Sequence, residues 1–265
     1  MKSAFFLCLL FCCTDLKAQF TTNLNNTYSV NVKDSFEIYT SLPPGYNPAQ
    51  TYKVVYYCDA NLKSGNLLRE KLNTATYNAT LNDCIFIGIG HIGNFHVLRR
   101  RDFILPFIKE NDTIPRNETY GQVERFYAFL KNELIPSINT RYRTYSDSNS
   151  IIGHSLGGLF AFYSLFKSDE LFNKYFALSP ALWIDDYAVY RFNKIKEGFP
   201  GRKQLYFTAG SKEWLNRILK GSNRAKKFLD EKKYSNLIYT YEIHRKHSHN
   251  SAVGPALDRI LREML

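Results

Sequence analysis

Apolar residues along this chain come in two alternating textures. Short unbroken runs, YKVVYYCD (52–59) and CIFIGIG (84–90), have the length and the aromatic or β-branched content of strands buried on both faces. SIIGHS (150–155), KYFALSP (174–180) and KQLYFTAG (203–210) repeat that texture, and LIYTYEI (237–243) alternates like a last strand. Longer stretches with helical spacing lie between them, near 62–76, 119–135, 156–168, 212–233 and 251–264. In TYGQVERFYAFLKNELIPSI the apolar residues fall at i, i+3 and i+4, and the helix is expected to end near Pro136. Strand–helix alternation predicts an α/β fold, a mostly parallel central sheet with helices on both faces.

The beginning breaks the alternation. YSVNV and SFEIYTSLPPGY (35–46) follow one another with only a turn between them, which predicts an antiparallel pair at one edge of the sheet. No Pro/Gly/Ser-rich linker, repeat or low-complexity segment marks a boundary, so residues 19–265 read as one domain. The first 18 residues read differently: a lysine, an apolar run over 4–13, then a polar stretch ending in Ala18. That is the layout of a signal peptide, and the run is too short for a membrane span, which needs roughly 20 residues. A lipid-bearing Cys12 or Cys13 is the alternative, disfavoured by the bulky residues before both. The expectation is a secreted or periplasmic protein with no membrane span.

Cysteine usage and charge then narrow the picture. Cys8, Cys12 and Cys13 lie in the signal, leaving Cys58 and Cys84 inside strand-like runs. In parallel strands one would end its strand and the other begin its own, too far apart to bridge, so both are expected as buried free thiols. Asn25, Asn78, Asn111 and Asn117 begin N-x-[ST] sequons. The net charge of +11 is spread along helix faces such as RAKKFLDEKK (224–233), with no recognisable nucleic-acid module, so no nucleic-acid partner is expected.

The chemistry is concentrated in SIIGHSLGGLFAFYSLF (150–166), a strand, then Gly153-His154-Ser155-Leu156-Gly157, then an apolar helix. G-x-S-x-G in that context is a nucleophile elbow: the turn is so tight that only glycine clears the neighbouring strands, and the serine is raised above the sheet edge. The helix that follows points its dipole and free N–H groups at the same spot. Without its flanking strand and helix, the same pattern is a glycine-rich turn with an incidental serine. His154 is expected as a packed or hydrogen-bonded elbow residue.

From these residues outward the chain resembles an esterase family of the α/β-hydrolase superfamily, which includes feruloyl and acetyl-xylan esterases, siderophore esterases and S-formylglutathione hydrolases. LPPGY (42–46) resembles its early turn, YKVVYYCDA its PVLYLLDG strand, RRRDFILP (99–106) its R-D-x-x-P loop, and LSPALW (178–183) a segment after the next strand. SHNSAVGPAL resembles its C-terminal histidine region, so the likeness runs from about residue 30 to the end. One departure stands out: Ala60 occupies the place of a glycine.

A serine hydroxyl needs a base, and the base needs an acid. In this superfamily the chain order is Ser, Asp/Glu, His. Glu213 lies just past the strand ending at Gly210, where the resemblance also places a carboxylate; Asp185 and Asp186 are the runners-up. Oxyanion donors are expected from Leu156 N–H and from Asn61 N–H, with Ala60 N–H as an alternative. His244, His247 and His249 follow the last strand. Zinc would want companion ligands that the sequence does not supply, so no metal and no cofactor is expected. His247 and His249 share parity, and the resemblance favours His249 as base through HNSAVGPAL, with His247 as runner-up.

Together these residues imply a serine esterase working through an acyl-enzyme on a small-molecule or carbohydrate-linked ester. An acyltransferase or peptidase on the same fold, or a non-catalytic binding protein, are the alternatives. The candidate substrate-binding residues are Arg99, Arg101 and Trp183. The segment from His91 to about Asn117 is long enough to wall a pocket. There, either an arginine binds an anionic substrate group or the loop is solvated with Arg101–Asp102 as an internal ion pair.

Overall fold

A computed structural model describes residues 19–74, 77, 80–106, 120–169, 171–213 and 216–265. The expected signal peptide and the sequons at Asn78, Asn111 and Asn117 lie outside the described residues. Among the described residues, eight strands join one sheet in the order β1-β2-β4-β3-β5-β6-β7-β8. They are β1 (Thr21–Ser29), β2 (Asp34–Leu42), β3 (Tyr52–Cys58), β4 (Cys84–His91), β5 (Thr144–His154), β6 (Lys174–Leu178), β7 (Gly198–Gly210) and β8 (Ser235–His244). From β4 to β8 every pairing is parallel; β1–β2 and β2–β4 are antiparallel. The mostly parallel sheet with an antiparallel N-terminal edge is the architecture that the alternation predicts.

The two-residue period of the buried strands sorts their side chains to two cores. Val54, Tyr56 and Cys58 of β3 join Ile85, Ile87 and Ile89 of β4 on one face, while Val55, Tyr57, Cys84 and Phe86 point to the other. The first face is covered by α2 (Phe95–Phe103), α3 (from Val123–Phe129 to Ile135–Arg141), α4 (Leu156–Phe166) and α5 (Arg217–Lys232). The second is covered by α1 (Lys63–Leu72) and α6 (Val253–Arg259). Phe103, Phe126 and Phe160 meet at ring-centroid distances of 5.0 to 5.9 Å in the first core. Each ring buried this way stabilises the fold by about 1.5–3 kcal/mol. No helix among the described residues is long and apolar enough to cross a membrane.

Three elements depart from the sequence expectation. The first strand is the polar TTNLNNTYS, and most of YSVNV falls in the turn that follows it. An edge strand exposed on both sides needs no hydrophobic alternation, so the pattern does not mark it. The segment carrying Arg99, Arg100 and Arg101 is a helix, α2, capped by the Asn94 side chain accepting from His96 N–H. Only Asp102 and Phe103 are buried in it, too few to show a helical period. Finally, α3 runs past Pro136 to Arg141 through a π turn at Leu130–Leu134. The wider turn accommodates a residue that has no N–H to donate and whose ring would crowd the preceding carbonyl. Cys58 pairs in register with Ile89 and Cys84 with Lys53, so the two thiols sit at opposite ends of adjacent strands, buried and free.

Candidate active site

β5 ends at His154 and α4 begins at Leu156, leaving one residue to turn the chain. That residue is Ser155, held at φ 59° and ψ −112°. Such left-handed backbone is costly for a side chain with a Cβ and persists only where the surroundings impose it. Here Ser155 N–H donates to the Leu178 carbonyl at 2.9 Å, while its own carbonyl accepts from Leu159 and Ala181 N–H at 3.0 Å. A Cβ on Gly153 would lie 2.1 Å from the Gly157 carbonyl oxygen, so the turn closes only with glycine there. Ser155 opens onto two adjoining cavities of about 340 Å³ each, and His249 lines both.

Glu213 follows β7 and is 5% exposed. Its Oε1 accepts from Ser179 Oγ at 2.6 Å and from Gly210 N–H at 2.9 Å. Its Oε2 accepts from His249 Nδ1 at 2.9 Å. Burial pushes this carboxyl up, but the hydrogen bonds from His249, Ser179 and Gly210 together outweigh it and hold Glu213 below its ordinary value. A carboxylate can only accept, so the shared proton sits on Nδ1, and Nε2 of a neutral His249 keeps its lone pair. The acid loop and the histidine loop are also joined along the backbone. Ser211 and Lys212 N–H donate to the His244 and His247 carbonyls, and Lys246 N–H donates to Ser211 Oγ at 2.8 Å.

The other two histidines of that loop are placed elsewhere. His247 turns Nδ1 to the Ser251 carbonyl at 3.0 Å and lines neither cavity. His244 is buried at the end of β8, 3.7 Å from Glu242, and burial pushes it down. Of the runner-up acids, Asp185 accepts from Tyr120 Oη at 3.0 Å, and neither it nor Asp186 lines either of the two cavities. His154 is the packed elbow residue expected. Its Nε2 donates to the His249 carbonyl at 3.1 Å and its ring lies 4.5 Å from the His249 ring. Burial, then repulsion from His249 whenever that ring is protonated and from the Arg99 charge, push His154 down to about 3, so it stays neutral.

In the turn after β3 the amide groups divide clearly. Ala60 N–H donates to the Ile89 carbonyl at 3.0 Å and Leu62 N–H to the Asp59 carbonyl at 2.9 Å. Asn61 N–H, between them, has no acceptor among the described residues, so Ala60 drops out as the alternative donor. The Asn61 side chain donates to the His91 carbonyl at 2.8 Å, which anchors the turn on β4. Ala60 fits where the resemblance expects glycine because the left-handed residue is its neighbour, Asp59, at φ 59°.

The three candidate substrate-binding residues separate. Arg101 makes the internal pair with Asp102 at 2.7 Å, reaches Asp34 at 2.7 Å and lines neither cavity. Its guanidinium charge is spent on those carboxylates. Arg99 lines both cavities, but its fork is held by Asp59. Trp183 lines the second cavity beneath the Arg217 guanidinium, 4.9 Å above its ring. His96, Arg100 and Ile218 complete that wall, and sequence reasoning did not single out Arg217 or Ile218. They sit on α5, whose amphipathic pattern marks a packing helix and carries no signal of a cavity.

Comparison with known proteins bears on this arrangement. The sequence model of one family, described as "Esterase: Putative esterase", matches residues 29–248. The chain is 28% identical over 184 residues to ferri-bacillibactin esterase BesA of Bacillus subtilis, covering 64% of this chain and 58% of that protein. It is 27% identical over 157 residues to a siderophore triacetylfusarinine C esterase of Aspergillus fumigatus, covering 57% and 52%. The matches thus span little more than half the length of these curated relatives. Among solved structures, the BES protein from Bacillus cereus superposes with a TM-score of 0.79 at 25% identity, over 91% of this chain and 93% of that one.

Proposed function

The chain belongs to that esterase family, and from this premise we propose that it is a serine carboxylic-ester hydrolase. Ser155 Oγ attacks the ester carbonyl carbon while His249 Nε2 takes the hydroxyl proton. Glu213 holds the imidazole in the required tautomer and stabilises the imidazolium that forms. Leu156 and Asn61 N–H groups donate to the carbonyl oxygen and stabilise the negative charge that develops on it. His249 then protonates the departing alcohol, and water repeats the sequence on the acyl-enzyme to release the acid. This chemistry requires no metal or organic cofactor.

The observation that carries the reading is the 2.9 Å bond from His249 Nδ1 to the buried Glu213, with Ser155 on the same cavities. Ser155→Ala is expected to abolish hydrolysis of p-nitrophenyl acetate and labelling by a fluorophosphonate, with the thermal unfolding curve retained. Folded Ser155→Ala protein that still hydrolyses the ester would sink the proposal.

For the substrate, we take up the names of the two curated relatives and propose an ester bond of a siderophore or its hydrolytic fragment. Trp183, Ile184 and Ile218 offer an apolar wall and Arg100 and Arg217 a cationic rim, which suits a bulky ester with planar or anionic groups. Residues 19–265 form the proposed catalytic unit, exported by the signal at 1–18 to the periplasm or medium. N-terminal sequencing of the mature protein should begin at Gln19.

A further inference from the structure

We propose that Arg99 is a positioning residue for the oxyanion hole, acting through Asp59 rather than by gripping the substrate; the proposal rests on the esterase reading above. Asp59 directly follows β3 in left-handed backbone and is 1% exposed. An ionised carboxylate so buried needs a partner. Arg99 supplies it: Nε donates to Oδ1 at 2.7 Å and Nη2 to Oδ2 at 2.9 Å. A fork of this kind fixes the orientation of both groups as well as their separation.

The pair also touches the elbow. Arg99 Nη2 lies 3.5 Å from the carbonyl oxygen of His154, the residue before Ser155. The Asp59 carboxylate rests against the first turn of α4, where a Cβ on Gly157 would come 3.4 Å from Oδ2. One guanidinium on α2 therefore ties together the two segments that carry the proposed donors. Asn61 N–H is two residues beyond Asp59, and Leu156 N–H is two residues beyond His154. Both must aim at one oxygen, about 3 Å from each. The pairing has an electrostatic side too. An unpaired Asp59 carboxylate would oppose the negative charge growing on that oxygen, whereas the neutralised pair does not.

Arg99 also lines both cavities, so the competing role is direct binding of an anionic substrate group. The test compares kcat and KM of wild type, Arg99→Lys, Arg99→Ala, Asp59→Asn and the Arg99→Ala/Asp59→Asn double variant. Two esters matched except for one carboxylate are used, below every variant's unfolding temperature. Arg99→Ala is expected to lower kcat on both esters alike, by about 10-fold to 100-fold, as for a small misplacement of a reacting geometry, with KM little changed. Arg99→Lys, which keeps the charge but not the fork, should fall between and remains informative if Arg99→Ala does not fold. The double variant should be no worse than Arg99→Ala alone, because the two residues act as one unit. A KM rise confined to the anionic ester would return Arg99 to the substrate and overturn the proposal. A lowered unfolding temperature with wild-type kcat would reduce the pair to a structural one and overturn it equally. Wild type inactive on both esters, and unlabelled by fluorophosphonate, would instead remove the esterase reading on which the proposal stands.

Discussion

Glu213 and His249 meet at 2.9 Å across 36 residues of chain, joining the loop after β7 to the loop after β8. His247, only two residues before His249, belongs to a different set of bonds, with its carbonyl on Lys212 N–H and its Nδ1 on the Ser251 carbonyl.

That division makes single His→Gln variants informative. His249→Gln should lower kcat for p-nitrophenyl acetate by about 10⁴-fold or more, the scale of losing a base that works as a unit with its nucleophile. His247→Gln should keep kcat within about a factor of ten, its cost falling on the fit of the loop. The reverse ranking, measured on folded proteins, would reassign the base.

Ser179 fixes Oε1 of Glu213, the oxygen turned away from His249, and its loss should be visible in pH dependence. Glu213 is held below its ordinary value in the folded protein, so its contribution to stability is complete above that ordinary value and is lost as pH falls through the depressed one. Ser179→Ala removes a hydrogen bond to the ionised form, so the carboxyl rises and acid unfolding begins at a higher pH. The variant should also cost about 1–3 kcal/mol at neutral pH, the range for a hydrogen bond to a buried charged group. Urea titrations at pH 7 and at pH 4 would check both, and identical acid profiles for the two proteins would refute the role.

Trp183 lies on the wall of the second cavity with its ring beneath the Arg217 guanidinium, away from the Glu213–His249 hydrogen bond in its bonding. Trp183→Ala should therefore raise KM for a bulky aryl ester by about 10-fold or more while leaving the small acetyl ester nearly untouched. Steady-state kinetics on the two esters decide it, and equal losses on both would place the effect on folding.

Burial pushes the Cys84 thiol up to about 12 and the Cys58 thiol well above its ordinary value. A thiol that cannot ionise is neither nucleophilic nor readily oxidised. Neither should react with a chromogenic disulfide in the native protein, and both should react once it is unfolded. Rapid native labelling would show that β3 or β4 opens.

What the sequence revealed follows from the range of each interaction. Ser155 was legible because its elbow needs only the glycines and apolar residues within a few positions of it. Glu213 and His249 were legible from chain order, since each follows a strand in a parallel sheet. The Asp59–Arg99 pair joins residues 40 positions apart, and neither has a neighbour that announces the other. Arg99 therefore read as free to meet a substrate, and α2 read as a loop because three arginines hid the little apolar surface that it buries. Ser179 was equally silent, a single hydroxyl whose partner lies 34 residues away. β1 was misplaced for the opposite reason: at an exposed edge, nothing in its pattern has to be apolar.

The backbone bonds from Ser211 and Lys212 to the carbonyls of His244 and His247 carry one more consequence. They make the proposed acid and base a single cooperative opening unit instead of two loops that fluctuate separately. A partial opening that frees either loop disconnects both, while the elbow, held by the Ser155 backbone bonds to Leu178, Leu159 and Ala181, lies outside that unit. Heat inactivation in such a protein runs ahead of global unfolding and reverses on cooling. Its population is set by the local free energy of that unit, not by the stability of the sheet.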